Sequence, residues 1–578
     1  MAEWIVGIDL GTTNSLVGAV IDGKPALFAD AGGNELLPSA VGAGDAGEML
    51  VGRAARNRRV IDPEGTVLSV KRLMGTDVRR RVGSRELTPA QISALILGAL
   101  LDRAEAKLGE RPTRAVITVP AYFDDAQRQA TRDAGLLAGL TVERLVNEPT
   151  AAALTYHTGA EQLVMVYDLG GGTFDVSILE RDEGLLEVRT SRGDVRLGGD
   201  DIDRALTDLV LERLGSRRAA VEADPRAMTR LLEAVERAKI ALSTRDEVHL
   251  FDPFIAGEGA EATHLDVPLT REDVATVARP FVQRTLDCID AALRDARARP
   301  EDLDRALLVG GASRMPVVRE MVAAHLGRPA QLDLDADRAV ALGASLLAGR
   351  LAGANVSEVL VDITPHTLAV GVLDAEWDDA EEDLVAEPVI ARGTVVPVER
   401  KKTVYTAIED QHRAHLPVVQ GEQRRLGSNV KLGEVRVEPL PPGPSGSPVE
   451  VSFRLDLSGV LHVSAQHLAS GRSANVRIAN SPYQLTEVRR AAAQAEIEAL
   501  RAAGAGEGEE SEVTESDLSL AKAMLLRAQR AMESDAGDAS TRGRVERAAA
   551  ALSRAVAAKD PTIVVLTDEL SDALLDLV

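Results

Sequence analysis

Two glycine-rich segments of the chain carry residue types that bind phosphate. Residues 11–13 (Gly-Thr-Thr) lie just after Asp9, and residues 170–173 (Gly-Gly-Gly-Thr) lie just after Asp168. The backbone amides of such tight turns can donate to phosphate oxygens, and glycine allows an approach that a Cβ would block. The spacing therefore predicts a polyphosphate site. Its candidate ligands are Gly11, Thr12, Thr13, Gly170, Gly171 and Gly172.

Carboxylates accompany both segments. Asp9, Asp168 and Asp175 are of the type that holds Mg²⁺, and we expect them to act largely through water, because magnesium keeps much of its hydration shell. Hydrolysis of a bound triphosphate needs positioning and charge stabilisation rather than a covalent step. The sequence thus predicts a site for ATP or ADP with Mg²⁺, and K⁺ is a further candidate ion.

The two segments belong to an internal repeat. Residues 7–13 recur as residues 166–173, with Asp9 and Asp168 in register. Each copy follows an apolar strand-like run and precedes another one. Repetition of a whole unit predicts two similar lobes that face each other across a nucleotide.

The first 350 or so residues alternate short apolar runs with helical patterns, which predicts an α/β architecture. Predicted strands include 5–8, 115–119, 163–167 and 306–309. Predicted helices include 89–108, 125–138, 201–214 and 226–243. From Val359 to about Asn480 the pattern becomes short alternating strands, as at 449–457 and 460–465, which predicts an antiparallel sheet or sandwich. The chain after Tyr483 is helical, with a break at 504–508 and further helices near 517–532, 542–558 and 567–577.

Bulk composition limits the partners. The 578 residues suggest three or four domains, and the net charge of −24 disfavours nucleic acid and anionic membranes. Cys288 is the sole cysteine, so we expect a buried core thiol and no disulfide. Since neither a signal peptide nor a spanning apolar run is evident, a cytoplasmic location is expected.

Competing motifs fail on inspection. Residues 18–24 nearly spell a P-loop, but Pro25 stands where a Ser or Thr should hold the metal, so a hairpin turn at Asp22-Gly23 is the better interpretation. The triple glycine lacks the spacing of a dinucleotide site. His412 and His415 have no third ligand in a recognisable pattern, which argues against zinc.

The chain resembles the heat-shock protein 70 (DnaK-type) chaperone family over nearly its whole length. The segments that carry the resemblance are GIDLGTTNS at 7–15, VKRLMG at 70–75, ITVPAYFDDAQRQ at 117–129, NEPTAAAL at 147–154, DLGGGTFD at 168–175 and LVGGASRMP at 308–316. The resemblance implies an actin-like ATPase domain at 1–356, a linker at 357–362, a β-sandwich peptide-binding domain at 363–482 and a helical lid at 483–578, interrupted near 504–510.

The resemblance also implies roles for single residues. Lys71 would orient the attacking water, Glu148 would sense or polarise the site, and Thr173 would approach the γ-phosphate, with Asp168 in the same catalytic set. Residues implied for the adenosine and the remaining nucleotide contacts are Glu236, Lys239, Ser243, Gly310, Gly311, Ser313, Arg314 and Asp337. The implied peptide-groove residues are Val370, Tyr405, Ala414 and Leu416. Those implied for coupling and for a J-domain partner are Arg144, Asn147, Thr150 and Asp362.

The family implies a chaperone that binds extended apolar segments of unfolded clients, with ATP switching its affinity. Partners would be a J-domain co-chaperone and a nucleotide-exchange factor. Three features depart from the family pattern: Glu358 in the apolar linker, an acidic insert at 374–383, and a short lid. Alternatives are the iron–sulfur-assembly branch of the same family, a small-molecule kinase with actin-like lobes, and a non-hydrolysing scaffold or exchange partner.

Overall fold

The structure is a computed structural model. It describes residues 4–156, 162–182, 184–257, 263–332, 336–354, 359–373, 384–477, 487–503 and 539–558, with single residues between 518 and 573. Two compact units are distinguished, Met1–Ile202 with Arg279–Gly504 and Asp203–Ala278 with Ala505–Val578, and each is described by itself. We call them unit 1 and unit 2.

The strands and helices are given in chain order. The strands are β1 (Ile5–Asp9), β2 (Asn14–Ile21), β3 (Lys24–Leu27), β4 (Leu37–Pro38), β5 (Ala40–Ala43), β6 (Met49–Val51), β7 (Val67–Leu68), β8 (Arg80–Val82), β9 (Arg85–Leu87), β10 (Arg114–Val119), β11 (Thr141–Asn147), β12 (Leu163–Leu169), β13 (Phe174–Asp182), β14 (Leu185–Asp194), β15 (Glu247–Ala256), β16 (Thr263–Thr270), β17 (Arg305–Val309), β18 (Gln331–Leu332), β19 (Val359–Ile363), β20 (Leu368–Leu373), β21 (Leu384–Ile390), β22 (Val395–Val396), β23 (Val398–Tyr405), β24 (Ala414–Gln420), β25 (Val430–Val437), β26 (Pro448–Leu455), β27 (Leu461–His467) and β28 (Ser473–Arg477). The helices are α1 (Arg53–Arg58), α2 (Pro89–Leu108), α3 (Asp125–Leu137), α4 (Glu148–Thr155), α5 (Gly199–Leu214), α6 (Arg218–Glu222), α7 (Pro225–Ala241), α8 (Arg271–Ala296), α9 (Pro316–Leu326), α10 (Ala339–Leu351), α11 (Glu487–Ala503) and α12 (Ala539–Ala558).

Two sheets of unit 1 repeat the same strand arrangement. One runs β11-β10-β1-β2-β3, and the other contains β18-β17-β12-β13-β14. In each sheet the strand that ends near the aspartate, β1 or β12, pairs in parallel with one neighbour and antiparallel with the next strand of the chain. The internal repeat read from the sequence is therefore a repeat of sheet topology, and Asp9 and Asp168 occupy equivalent strands.

Local sequence explains where the helices beside these sheets begin and end. Thr88 caps α2 by accepting from the Gln91 amide, Pro89 is in the first turn, and Gly109 ends the helix at a φ of 80°. Asp124 caps α3 in the same way through Gln127. Helix α2 matches the predicted 89–108, and the other predicted elements of this region differ from the structure by one to three residues at their ends.

Helix α10 packs very closely on its neighbours. A Cβ on Gly343 would lie 1.8 Å from the Ala151 carbonyl oxygen of α4, and a Cβ on Gly7 of β1 would lie 2.2 Å from the Ser345 amide nitrogen. These distances are far below any real contact, so each crossing requires glycine. The buried cluster at this crossing is aliphatic.

The chain continues into two four-stranded antiparallel sheets, β21-β20-β24-β25 and β23-β26-β27-β28. Their inner residues, among them Val370, Val418 and Phe453, form one buried cluster. We call these two sheets the paired sheets. The strand before them, β19, adds in parallel to β14, and its Leu360 and Ile363 are buried in the aliphatic cluster of the first half of the chain.

Helix α11 follows the paired sheets and packs against α2. Ile497 and Leu500 are buried within the cluster of the first sheet, and Arg501 donates to Asp102 at 2.5 Å. In unit 2, helix α7 packs with the antiparallel pair β15 and β16, and a separate small cluster includes Val545 and Leu552 of α12.

Some sequence expectations need correction or lie outside the described residues. Ser243 lies beyond α7, which ends at Ala241, so it does not share a helical face with Glu236. Cys288 is partly rather than fully buried, and burial raises the pKa of its thiol to about 11. The break at 504–508 and the insert at 374–383 are not described, and of the predicted helices 517–532 and 567–577 only single residues are.

Within the described part of the chain, no helix is long and apolar enough to cross a membrane.

The Gly343 contact yields a stability prediction. An alanine normally favours a helix interior over glycine by about 1 kcal/mol, but here its Cβ would meet the α4 backbone. We expect Gly343→Ala to lower stability by roughly 1 to 3 kcal/mol, measured as a fall in melting temperature. Gly427→Ala is the control, because a Cβ there meets nothing within 4 Å. A Gly343→Ala protein as stable as the wild type would contradict this packing.

Candidate active site

Three of the predicted aspartates lie at the ends of the repeated strands. Asp168 and Asp175 are paired across β12 and β13, and Asp9 ends β1. The Thr118 hydroxyl donates to Asp9 at 2.7 Å, and the Tyr122 amide donates to Asp175 at 3.0 Å. These bonds fix the carboxylates of Asp9 and Asp175.

Lys71 forms a buried ion pair with Glu148. The lysine is 4% exposed and the glutamate 7%, and the lysine Nζ donates to Glu148 Oε1. Lys71 lies on a one-turn 3₁₀ helix, Val70–Leu73, whereas Glu148 begins α4, with Pro149 in its first turn. A lysine held here is not a surface charge, which supports the role that the sequence resemblance implied.

The electrostatics of the site are dominated by excess negative charge. Burial raises the pKa of Asp9, Glu148, Asp168 and Asp175, and for Asp168 and Asp175 repulsion from the neighbouring carboxylates adds to it. Lys71 opposes the shift in all four groups. Three buried carboxyl groups and the half-buried Asp9 surround one lysine, so the site lacks positive charge, which a divalent cation would supply.

The donor set fits a hydrated Mg²⁺ better than a fully protein-ligated ion. Among the described residues no group of three or more His, Cys, Asp or Glu side chains is placed to hold a metal directly. Magnesium usually takes one or two carboxylates and fills its remaining positions with water and phosphate oxygens. Asp9, Asp168 and Asp175 would serve it in that way.

The two glycine segments face each other. A Cβ on Gly171 would lie 2.0 Å from Thr13 Oγ1, and a Cβ on Gly172 would lie 2.6 Å from Thr12 Cγ2. The close approach of the two segments at these glycines allows their backbone amides to line one narrow cradle. Thr12 and Thr173 are both buried, at about 6% exposure.

The next candidate loop also reaches this site. Gly310 has a φ of 80°, and a Cβ on it would lie 2.6 Å from Asp168 Oδ1. In the turn that follows, Ser313 is buried and donates to the Val309 carbonyl at 2.6 Å. Arg314 pairs with Asp337 at 2.7 Å, and a Cβ on Gly311 would come within 3.5 Å of the same carboxylate.

The other adenosine candidates lie in unit 2. Lys239 is buried on α7 and forms an ion pair with Asp203 at 2.7 Å. Glu236 is half-buried on the same helix, and the Ser243 amide donates to the Ile240 carbonyl in the turn that follows. Their role at the nucleotide stays a prediction.

Sequence reasoning missed several residues that hold the site together. Arg72 donates two hydrogen bonds to Asp201, at 2.8 and 2.9 Å, and Ser69 donates to Asp200 at 2.7 Å. The Asp200 amide in turn donates to the Gly171 carbonyl at 2.7 Å. Arg72 follows Lys71 directly and lies in the segment 70–75 that carries the family resemblance. Its partner Asp201 lies about 130 positions away, so no local sequence pattern indicated this contact.

Comparison with known proteins agrees with this geometry. The sequence model of the family described as Hsp70 protein matches residues 5–83 and 78–577. The chain belongs to the Hsp70 family. It is 42% identical to the chaperone protein DnaK of Thermotoga petrophila over 497 residues, which is 84% of this chain and 82% of that protein. The DnaK proteins of Thermotoga maritima and Thermotoga neapolitana match with the same identity and coverage.

Family membership decides the general function. The chain is an ATP-dependent chaperone and an ATPase, as its DnaK relatives and the family match support. The small-molecule kinase and the non-hydrolysing scaffold are thereby set aside, and the iron–sulfur-assembly branch is not favoured. The family also implies nucleotide binding with a divalent metal, and clients and co-chaperones as partners.

The candidate peptide-groove residues occupy two environments. Val370, Ala414 and Leu416 are buried in the cluster between the paired sheets. Tyr405, at the end of β23, is 66% exposed. Three of the four positions therefore pack in the core between the paired sheets in this conformation. Groove lining stays a prediction.

The coupling candidates meet at the junction of β11, α4 and β19. Asn147 donates to Asp362 at 2.7 Å and accepts from Arg128 at the same distance. Asp362 is buried, which raises the pKa of its carboxyl, and Arg128, Arg144 and Asn147 oppose that shift. Thr150 is fully buried, so the structure turns it inward rather than toward a partner.

The paired sheets contact the same junction through backbone hydrogen bonds. Asp125 accepts from the Leu461 amide at 3.0 Å, and its own amide donates to the Gln420 side chain at 3.2 Å. Leu145 donates to the Ser458 hydroxyl at 3.2 Å. Burial, with smaller repulsion from Asp124 and Asp456, raises the pKa of Asp125 to about 7.

This shift predicts a pH dependence. In the folded chain the pKa of Asp125 lies above its ordinary value of 3.8, so the native state is most stable when this carboxyl is protonated. The free energy of unfolding therefore falls as the pH rises from about 4 to about 7. Asp125→Asn keeps an acceptor for the Leu461 amide but cannot ionise. Its stability relative to the wild type should therefore rise by about 2 kcal/mol between pH 5 and pH 8, measured as a difference in unfolding free energy or melting temperature.

The control for that measurement is Asp410→Asn. Asp410 is exposed, and its carboxylate also accepts from a backbone amide, that of Gly443 at 3.0 Å. This variant makes the same substitution at an exposed site, so it measures the effect of replacing a carboxylate by an amide outside the Asp125 contact. A difference between Asp125→Asn and the wild type that stays constant with pH would show that Asp125 does not titrate at this contact.

Proposed function

We propose that the chain is a peptide-binding chaperone whose affinity for extended apolar segments is set by the nucleotide at the site above. Residues 1–356 would form the nucleotide domain, 357–362 the linker, 363–482 the peptide-binding sandwich and 483–578 the lid. The repeated sheet topology supports the two lobes of the nucleotide domain. The buried cluster shared by the paired sheets supports the sandwich.

The catalytic residues divide the work of hydrolysis between them. Bound Mg²⁺ would neutralise charge on the phosphates, held by Asp9, Asp168 and Asp175 through water. The amides of residues 11–13 and 170–173 would hold the phosphate oxygens, and Thr173 would donate its hydroxyl. Lys71 would orient the attacking water, while Glu148 holds the lysine in place.

The observation that carries the coupling is the position of Asn147. It accepts from Arg128, donates to Asp362 of the linker strand and immediately precedes Glu148, which holds Lys71. A change at the linker would therefore reach the catalytic lysine through one peptide bond and two polar contacts, Asp362–Asn147 and Glu148–Lys71. Nucleotide would favour one linker position over another because the two share these residues.

The proposed partners follow from the same arrangement and from the family. Exposed Tyr405 and the strand ends beside it would meet an extended client, and the region around Arg144 and Asp362 would respond to a J-domain protein. A nucleotide-exchange factor is a further proposed partner, whereas the acidic charge disfavours nucleic acid and membranes. A cytoplasmic location stays a prediction.

Two departures from the family pattern bear on this proposal. Glu358 and the acidic insert at 374–383 both lie outside the described residues. The linker strand beyond Glu358 nevertheless pairs with β14 from Val359 onward, and Leu360 and Ile363 are buried. The linker strand is thus paired with β14 in a chain that carries a glutamate at position 358.

The test combines hydrolysis with client affinity. Lys71→Ala should reduce single-turnover ATP hydrolysis at least 100-fold, in the range of losing a positioned catalytic group. It should still bind ATP and release a fluorescent extended apolar peptide when ATP is added. Wild-type turnover should rise with that peptide and with a J-domain protein.

Lys24→Ala is the matched control, because Lys24 is an exposed lysine of the β2–β3 hairpin. We expect wild-type turnover and peptide release from it. Unchanged hydrolysis in Lys71→Ala would refute the catalytic assignment. Equal peptide affinity in ATP and in ADP for the wild-type chain would refute the proposed switch.

A further inference from the structure

The residue two positions before the catalytic lysine has an unusual backbone. Ser69 adopts a φ of 52° and a ψ of 32°, in the left-handed region that non-glycine residues rarely occupy. It directly precedes the 3₁₀ turn Val70–Leu73, on which Lys71 lies. A serine held in this conformation needs a compensating interaction, or it would relax to the ordinary side of the map.

The compensating interaction comes from a distant segment. Ser69 Oγ donates to Asp200 Oδ2 at 2.7 Å across 131 positions of sequence. Asp200 lies in the first turn of α5, where its amide donates to the Gly171 carbonyl at 2.7 Å. A Cβ on Gly171 would also lie 3.4 Å from Asp200 Oδ1. One aspartate therefore contacts both Ser69 and the triple-glycine loop.

The turn after Ser69 transmits its backbone conformation to Lys71. The Arg72 amide donates to the Ser69 carbonyl at 3.1 Å, and the Met74 amide donates to the Lys71 carbonyl at 3.2 Å. Because these bonds make the turn a single unit, a rotation at Ser69 would carry the Lys71 side chain away from Glu148. The position of the lysine thus depends on the dihedral angles of Ser69.

We propose that Ser69 is a positioning residue for ATP hydrolysis, holding Lys71 in place only while Asp200 and the triple-glycine loop are docked beside it. The inference rests on the proposed role of Lys71. It gives the Ser69–Asp200 bond a function distinct from that of the Arg72–Asp201 ion pair. The ion pair joins the same two segments, but it does not stabilise a left-handed residue.

Comparison of alanine with glycine at position 69 isolates this effect. Ser69→Ala removes the hydroxyl and keeps a Cβ that disfavours the left-handed conformation. Ser69→Gly removes the hydroxyl but adopts that conformation without penalty. We expect the rate of single-turnover ATP hydrolysis to fall about tenfold in Ser69→Ala and by clearly less in Ser69→Gly. The dissociation constant for ATP should change less than twofold in both.

A double-mutant cycle tests the partner. Asp200→Ala should slow hydrolysis, and Ser69→Ala should add no further loss on that background, because the bond is already absent. Ser452→Ala is the matched control: its hydroxyl donates to Glu399 at 2.9 Å on the paired sheets, away from the site. We expect wild-type rates from it.

Three results would overturn the proposal. They are an unchanged rate in Ser69→Ala, an equal loss in Ser69→Gly and Ser69→Ala, and losses that multiply in the Ser69→Ala, Asp200→Ala double variant. Lys71→Ala, measured beside them, separates the two inferences. Full turnover in Lys71→Ala refutes the role of the lysine, whereas full turnover in Ser69→Ala alone refutes only the positioning role of Ser69.

Discussion

The phosphate site is built around the buried carboxyl groups of Glu148, Asp168 and Asp175 and the half-buried Asp9, which share one lysine. Burial of unpaired charge is costly, and the repulsion among Asp9, Glu148, Asp168 and Asp175 adds to the cost. A divalent cation near these carboxylates would offset it, and the Mg²⁺ that accompanies ATP is such a cation, while the amides of the two glycine loops would hold the phosphate oxygens. The carboxylates are held at strand ends by hydrogen bonds from Thr118 and Tyr122, so the site is preorganised rather than assembled by the nucleotide.

The same cluster explains how the second half of the chain can respond to the first. Glu148 holds Lys71, and its neighbour Asn147 holds Asp362 of the linker strand, which pairs with β14. Tyr122 adds a parallel connection, because its amide donates to Asp175 while its carbonyl accepts from His366 at 3.2 Å. Both routes consist of buried polar contacts, which lose stability when either partner moves. In the proposed switch, these contacts would be the element whose arrangement differs between two states.

Much of the site could be predicted because its residues lie in contiguous patterns. Asp9, Asp168 and the glycine loops recur in one repeated unit, and Lys71 and Glu148 lie in segments specific to the family. The partners of those residues could not be predicted, since Thr118, Asp200 and Asp201 reach the site from elsewhere in the chain and no periodicity marks such contacts. The positions of the strands and helices could be predicted from hydrophobic periodicity. The end of α7 before Ser243 could not be predicted, because helix ends depend on capping rather than on the hydrophobic pattern. Val370 and Leu416 would show the same alternation of apolar and polar residues in a sandwich core and in a peptide groove. The sequence pattern therefore could not distinguish these two roles.

We infer that the two facing glycine loops and the carboxylates beside them bind one Mg·ATP. Isothermal titration calorimetry on the intact, folded chain tests it most directly. We expect Mg²⁺-dependent ATP binding at one site per chain. We expect this binding to be lost in Gly171→Ala, because the new Cβ would lie 2.0 Å from Thr13 Oγ1. Absence of any Mg·ATP binding by the folded wild-type chain, or full affinity in Gly171→Ala, would contradict it.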